Sequence, residues 1–185
     1  RTYRGGWKSP GSNDIGVWAL HLARQIVEKQ QMPVCIINGA KGNTSVKELS
    51  PNFVIPVDNT AWIKDTQPYG NFYRRLMAWV TEAGLQGNIP ALLYHQGEKQ
   101  VGTKQYDTYY ADFLELRKAL YADFPGLEKI IMFQIKTGCG TGSIGWNVMF
   151  ETQRQLARDL YPWVPSLLLR SAVGGPNRAD RRVAP

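Results

Sequence analysis

His95-Gln96-Gly97-Glu98 follows directly on an apolar run, Ile89-Pro90-Ala91-Leu92-Leu93-Tyr94. Polar side chains at the carboxyl end of a buried strand stand where a parallel sheet opens its crevice. A glycine between two long polar residues lets the backbone turn sharply at the end of a strand while both side chains project into one crevice. Composition alone favours a structural hydrogen-bond cluster for these four residues. His95 is read as a neighbour of the site rather than as its base.

A second segment of interest is Gly39-Ala40-Lys41-Gly42-Asn43-Thr44-Ser45, a small-residue turn whose backbone N–H groups can face an anion or oxyanion. It is no phosphate loop, because the GxxxxGK[ST] spacing fails. A plain flexible turn is the alternative. Ser45 and Ser143 are hydroxyls in strand-exit loops, but neither lies in a strand–turn–helix elbow, so both are read as turn residues. His21 falls on a predicted helix and is read as structural.

The elements that must position these groups follow from periodicity. Ile15, Trp18, Leu22, Ile26 and Val27 recur at helical steps up to Gln31, with Asp14 as N-cap. Val34-Cys35-Ile36-Ile37 is a continuous apolar run of the kind buried on both faces of a parallel sheet. Residues 39–66 read as a long loop, and a helix follows on Phe72, Leu76, Trp79, Val80 and Ala83. After the strand ending at Tyr94 comes a further loop, then a helix on Tyr106, Tyr109, Tyr110, Phe113, Leu116, Arg117 and Leu120, broken by Phe124-Pro125-Gly126. Lys129–Ile135 is a third strand, Phe150–Leu160 a last helix, and Ser166–Leu169 a fourth strand. Strictly alternating helices and strands call for an α/β doubly wound parallel sheet, and the ligand crevice of such a sheet lies beyond the carboxyl ends of the strands. The loops there begin at Asn38, His95, Lys136 and Arg170.

The chain's 185 residues, 43% hydrophobic and 20% charged, are the size and composition of one globular domain spanning 1–185. No apolar run approaches the roughly 20 residues of a membrane span. Two cysteines, Cys35 and Cys139, exclude a disulfide framework and a multi-cysteine zinc site but leave one bridge open. The net charge of +7 raises the question of an acidic partner. No basic stripe interleaved with stacking aromatics occurs, so nucleic acid is not the expected one. Arg170, Arg178, Arg181 and Arg182 fall in the last sixteen residues and are expected to flank the crevice mouth.

Tyr94-His95-Gln96-Gly97-Glu98 resembles the (W/Y)-x-QGE block of the sialate O-acetylesterase type carbohydrate esterases, a branch of the SGNH (GDSL-like) hydrolases. Residues 33–46, PVCIINGAKGNTSV, are similar to that family's second block, a strand ending in a Gly-Gly-Thr or Gly-Gly-Ser turn. Tyr106–Pro125, Met132–Ile135 and Glu151-Thr152-Gln153 resemble later family segments, so the likeness runs over most of 15–183. The resemblance implies a three-layer α/β/α, flavodoxin-like fold, a serine nucleophile in a Gly-x-Ser block, a histidine base in an Asp-x-x-His block, and no cofactor. It implies Gly42 as a backbone oxyanion donor, Gln96 as a side-chain donor, Glu98 as holder of the polar network and Asp180 as orienting acid. Asn43, which replaces a glycine, His95 and Arg178 are expected to face the substrate. The implied partner is an acetylated carbohydrate, acidic if the arginines steer it; no nucleic acid or membrane partner is expected, the oligomeric state is open, and a secreted or periplasmic location is expected.

Three departures stand out. No GQSN block occurs, and Asp180-Arg181-Arg182-Val183 has Val where the family has its histidine. Gly11-Ser12-Asn13-Asp14 spells the GxND of SGNH enzymes, but no apolar strand precedes it and Asp14 serves better as a helix cap. In the strand order 2-1-3-4-5 the first strand is central, and leaving its slot open strands buried N–H and C=O groups at about 1–3 kcal/mol each. A stability of about 5–15 kcal/mol cannot absorb that. The domain is therefore expected to be incomplete at the N-terminus and near the C-terminus, with a slot between the strands Val34–Ile37 and Ala91–Tyr94 filled by other chain. A non-catalytic relative that binds glycan, or an unrelated binding domain for an anionic polymer, are the rival readings.

Overall fold

The computed structural model describes residues 17–136 and 144–160. Helix α1 (Val17–Gln30) is followed by an irregular stretch and a 3-10 turn (Lys47–Leu49), then α2 (Thr60–Thr66) and α3 (Phe72–Glu82). Strand β1 (Ala91–His95) leads into α4 (Glu98–Thr103), a 3-10 turn (Tyr106–Thr108) and α5 (Tyr109–Asp123). Strand β2 (Lys129–Phe133) and α6 (Ile144–Leu160) complete the described residues. This is a helix-rich α/β arrangement around a small parallel sheet.

β1 and β2 pair in parallel with Ala91 opposite Lys129 and His95 opposite Phe133. Parallel neighbours need a crossover of a dozen or more residues, and α4 with α5 supplies it. Helix α5 turns Tyr109, Phe113, Leu116 and Leu120 inward at steps of four, three and four, the helical period. They meet Tyr94 and Ile130 from the strands, Tyr73 and Val80 from α3, and Trp146, Met149 and Leu156 from α6 in one core. The Tyr94 and Phe113 rings lie 5.2 Å apart, centroid to centroid.

Caps fix the helices that flank the loops. The Asn71 side chain accepts from Arg74 N at 2.8 Å and donates to Pro51 O and Phe53 O at 2.9 and 3.0 Å, so one buried amide both starts α3 and pins the preceding loop. Asn59 caps α2 by accepting from Trp62 N at 3.2 Å.

Three sequence expectations change. Val34–Ile37 forms no strand. An apolar run supplies burial but no register, and without a neighbouring ladder among the described residues it stays irregular; Ile37 packs on the core while Cys35 is exposed. Helices α2 and α4, both within stretches read as loops, are real but short, at seven and six residues, too short to show a period. Trp18 and Val27 of α1, expected on a buried face, are 52% and 45% exposed, and Trp18 contacts Phe133 at the end of β2. Ser166–Leu169 and Asp14 lie outside the described residues.

Candidate active site

At the carboxyl end of β1 the chain alternates inward and outward, so Tyr94 and Gln96 are buried while His95 is exposed. Gly97 then takes φ 143°, a conformation that glycine alone adopts readily, and α4 starts at Glu98. The sharp turn expected between Gln96 and Glu98 is therefore present.

Gln96 reaches the second segment of interest. Its Nε2 donates to Thr44 O at 2.9 Å across 52 residues of sequence, and also to Gln100 Oε1, while Oε1 lies 3.4 Å from the Tyr94 hydroxyl that donates to it. Both amide hydrogens are thus engaged and the side chain is 6% exposed. The Gly39–Ser45 turn is held from several sides. A Cβ on Gly39 would lie 2.9 Å from Leu76 Cδ1 of α3, so a larger residue there requires the Leu76 side chain to shift. Lys41 pairs with Asp65 on α2, and this partner, together with nearby Arg75, holds the Asp65 carboxyl below the ordinary carboxylate range. The Thr44 hydroxyl donates to Lys41 O at 2.7 Å. Asn43 sits in the left-handed region at φ 60°, and both it and Gly42 are exposed.

Ser45 is a turn residue. Its N–H donates to Glu48 Oε2 at 2.5 Å and its Oγ accepts from Glu48 N at 3.3 Å, the reciprocal pair of a capping box. Glu48 also receives both of its carboxylate contacts with Lys99, at 2.8 and 2.7 Å, and the Lys99 ammonium lies 5.0 Å from the Trp62 ring centroid. The residue following the Gln-Gly-Glu triplet thereby ties α4 to the Ser45 turn and to α2.

Behind Gln96 lies a buried polar cluster. The Gln96 carbonyl accepts from Gln153 Nε2 at 2.9 Å and from the Tyr109 hydroxyl at 3.2 Å, and Gln153 Oε1 accepts from Ile135 N at 3.1 Å. Burial holds the Tyr94 and Tyr109 phenols well above their ordinary range; the hydrogen bond from Gln153 Nε2 offsets part of this at Tyr109.

His95 and Glu98 form a pair on the outer side, Nε2 to Oε1 3.5 Å, with side chains 47% and 36% exposed. The structure thus brings Gln96 to the Thr44 end of the turn and His95 to Glu98. Asp180 and Arg178, with Arg170, Arg181, Arg182, Val183, Ser143 and Cys139, lie outside the described residues. Among the described residues no group of three or more His, Cys, Asp or Glu can hold a metal ion, and no helix is long and apolar enough to cross a membrane.

The joining of a Gln-Gly-Glu strand exit to a small-residue turn is the pattern to set beside known families. The family model described as carbohydrate esterase, sialic acid-specific acetylesterase, matches residues 10–170. The chain belongs to that family. No curated protein and no solved structure matched. The likeness of Gln96-Gly97-Glu98 to a sialate O-acetylesterase block is therefore upheld at the level of the family. In this carbohydrate esterase family member, Gln100, Tyr109, Gln153 and the Glu48–Lys99 pair hold Gln96 and the Ser45 turn in place, a role that the residue pattern did not assign them. Two had a signal. Ser45-x-x-Glu48 has capping-box spacing, and Gln100 stands one helical turn beyond Gln96. Tyr109 shows only as an apolar helix position, and nothing local marks Gln153 as a partner of Gln96.

Proposed function

We propose that the chain is an SGNH-type, doubly wound three-layer domain of a serine esterase that removes O-acetyl groups from a carbohydrate, with the nucleophile outside residues 1–185. The observation that carries this reading is the 2.9 Å hydrogen bond from Gln96 Nε2 to Thr44 O, which sets the Gln-Gly-Glu block against the Gly42-bearing turn at the end of β1. In the proposed reaction a serine Oγ attacks the acetyl carbonyl carbon while a histidine takes its proton. The oxyanion is held by the Gly42 N–H and the Gln96 amide, the sugar oxygen leaves with the proton from the imidazolium, and water then releases acetate by the same steps. Gln96 reaches the oxyanion by exchanging Gln100 Oε1 for it. Glu98 fixes His95 beside the crevice, Asn43 and Arg178 face the sugar, and Asp180 orients the base. A secreted or periplasmic location suits a polymeric carbohydrate substrate.

A second reading rests on the same amide. Both Gln96 Nε2 hydrogens are committed, and position 183 is Val, which favours a relative that binds glycan without cleaving it. Hydrolysis of p-nitrophenyl acetate and of an O-acetylated sugar separates the two. Residues 1–185 alone are expected to show no turnover, and a longer form carrying a Gly-x-Ser block is expected to turn over. Such a form that binds glycan and releases no acetate overturns the esterase reading.

A further inference from the structure

A cleft of about 160 Å³ lies between the Ser45 turn and the start of α5, lined by Ser45, Lys47, Gln100, Gln105, Thr108 and Asp112. At roughly 30 Å³ of liquid volume per water, this is room for about five waters or one pyranose ring. Each of these six residues carries a polar group. Gln100 is 1% exposed, and its Nε2 has no hydrogen-bond partner among the described residues, although its Oε1 accepts from Gln96. An unpaired buried donor is costly, and the Gln100 that carries it forms part of the cleft wall. Lys47 and Asp112 put one positive and one negative charge in the same cleft, so neither an anion nor a cation is selected. Amide, hydroxyl, ammonium and carboxylate groups together offer both donors and acceptors, which matches a ligand that donates and accepts at every position, as sugar hydroxyls do. We infer that this cleft is a binding subsite for an uncharged sugar ring, one side chain removed from Gln96.

The inference rests on the carbohydrate reading of the chain but commits to a neutral ring at this place, where the charge pattern gives an acidic sugar no advantage. Its test is binding, not turnover. Titration of the protein with methyl β-galactopyranoside, followed by the side-chain amide signals in nitrogen–proton NMR spectra, is expected to give saturable shifts with a Kd in the millimolar range, about that of a single weakly held ring. Gln105→Ala and Asp112→Ala, both at positions outside the core, are expected each to weaken binding several-fold while the remaining spectrum shows an unchanged fold. Absence of saturable shifts, binding unaltered in both variants, or tighter binding of N-acetylneuraminic acid than of the neutral glycoside overturns the subsite. Acetate release measured on a nucleophile-bearing form keeps the two questions apart: lost hydrolysis with intact glycoside binding counts against the esterase alone, and the reverse counts against the subsite alone.

Discussion

Gln153 Nε2 on α6 donates to the Gln96 carbonyl oxygen at 2.9 Å, 57 residues away in sequence, while Gln153 Oε1 accepts from Ile135 N just beyond β2. One buried amide therefore closes the exits of both strands. Gln96 can hold its side chain toward Thr44 only if its own backbone is fixed, and Gln153 with Tyr109 does that fixing.

Gln153→Leu keeps the volume and removes all three of the side chain's hydrogen bonds, to the Gln96 carbonyl, the Tyr109 hydroxyl and Ile135 N. The Gln96 carbonyl retains Tyr109, but Ile135 N is left buried without an acceptor, a loss of about 1–3 kcal/mol. Urea unfolding is expected to show a lower midpoint with the slope unchanged; a midpoint equal to that of the parent protein shows that the clamp does not stabilise the exits.

Gly97→Ala is expected to disturb the same clamp from the other side. At φ 143° an added Cβ is strained, by about 1–3 kcal/mol, and it would stand 3.1 Å from Ile135 Cγ2 and 3.2 Å from Gln153 Nε2. Gly42→Ala is the control, since a Cβ there meets nothing within 4 Å. Its stability is expected to change by no more than about 0.5 kcal/mol. Equal thermal midpoints for the two variants would sink the argument.

Tyr94 and Tyr109 make stability fall in alkali. Each folded-state pKa is raised by burial above the unfolded value near 10. The unfolded chain therefore loses these protons first, binds fewer than the native state above about pH 10, and stability drops by up to about 1.4 kcal/mol per pH unit for each group. Below that pH the contribution is fully present. Urea midpoints followed upward from about pH 9 are expected to fall, and Tyr109→Phe, which removes one titrating group, is expected to fall less steeply. Identical slopes in the two proteins would assign the loss to other groups.

The parts of the fold legible in sequence are those whose signal is local. The period of α5 and the glycine turn after β1 depend on neighbours within a few residues, and they appear where the pattern puts them. Val34–Ile37 failed because strand formation needs a partner ladder, which no apolar run encodes by itself. The site divides in the same way. Gln96-Gly97-Glu98 announces itself by residue type and by the glycine turn, whereas the fates of Gln96's two hydrogens depend on Thr44 and Gln100, the first of them set by tertiary packing. Sequence left open whether this amide is a catalytic donor or a structural tie, and the folded structure shows it serving as a tie.

The amide's second service is tested by Gln96→Ala in a form that carries a nucleophile. If Gln96 donates to the oxyanion, the bond forms only once charge has developed, so kcat is expected to fall about 10²–10³-fold with KM little altered. The tie to Thr44 predicts something different. Losing it loosens the Gly42 turn and lowers thermal stability, but a protein assayed well below its midpoint, with its folded fraction verified by near-ultraviolet circular dichroism, keeps its rate. A large loss of kcat in fully folded Gln96→Ala protein supports the donor role, and near-parental kcat confines Gln96 to holding the turn.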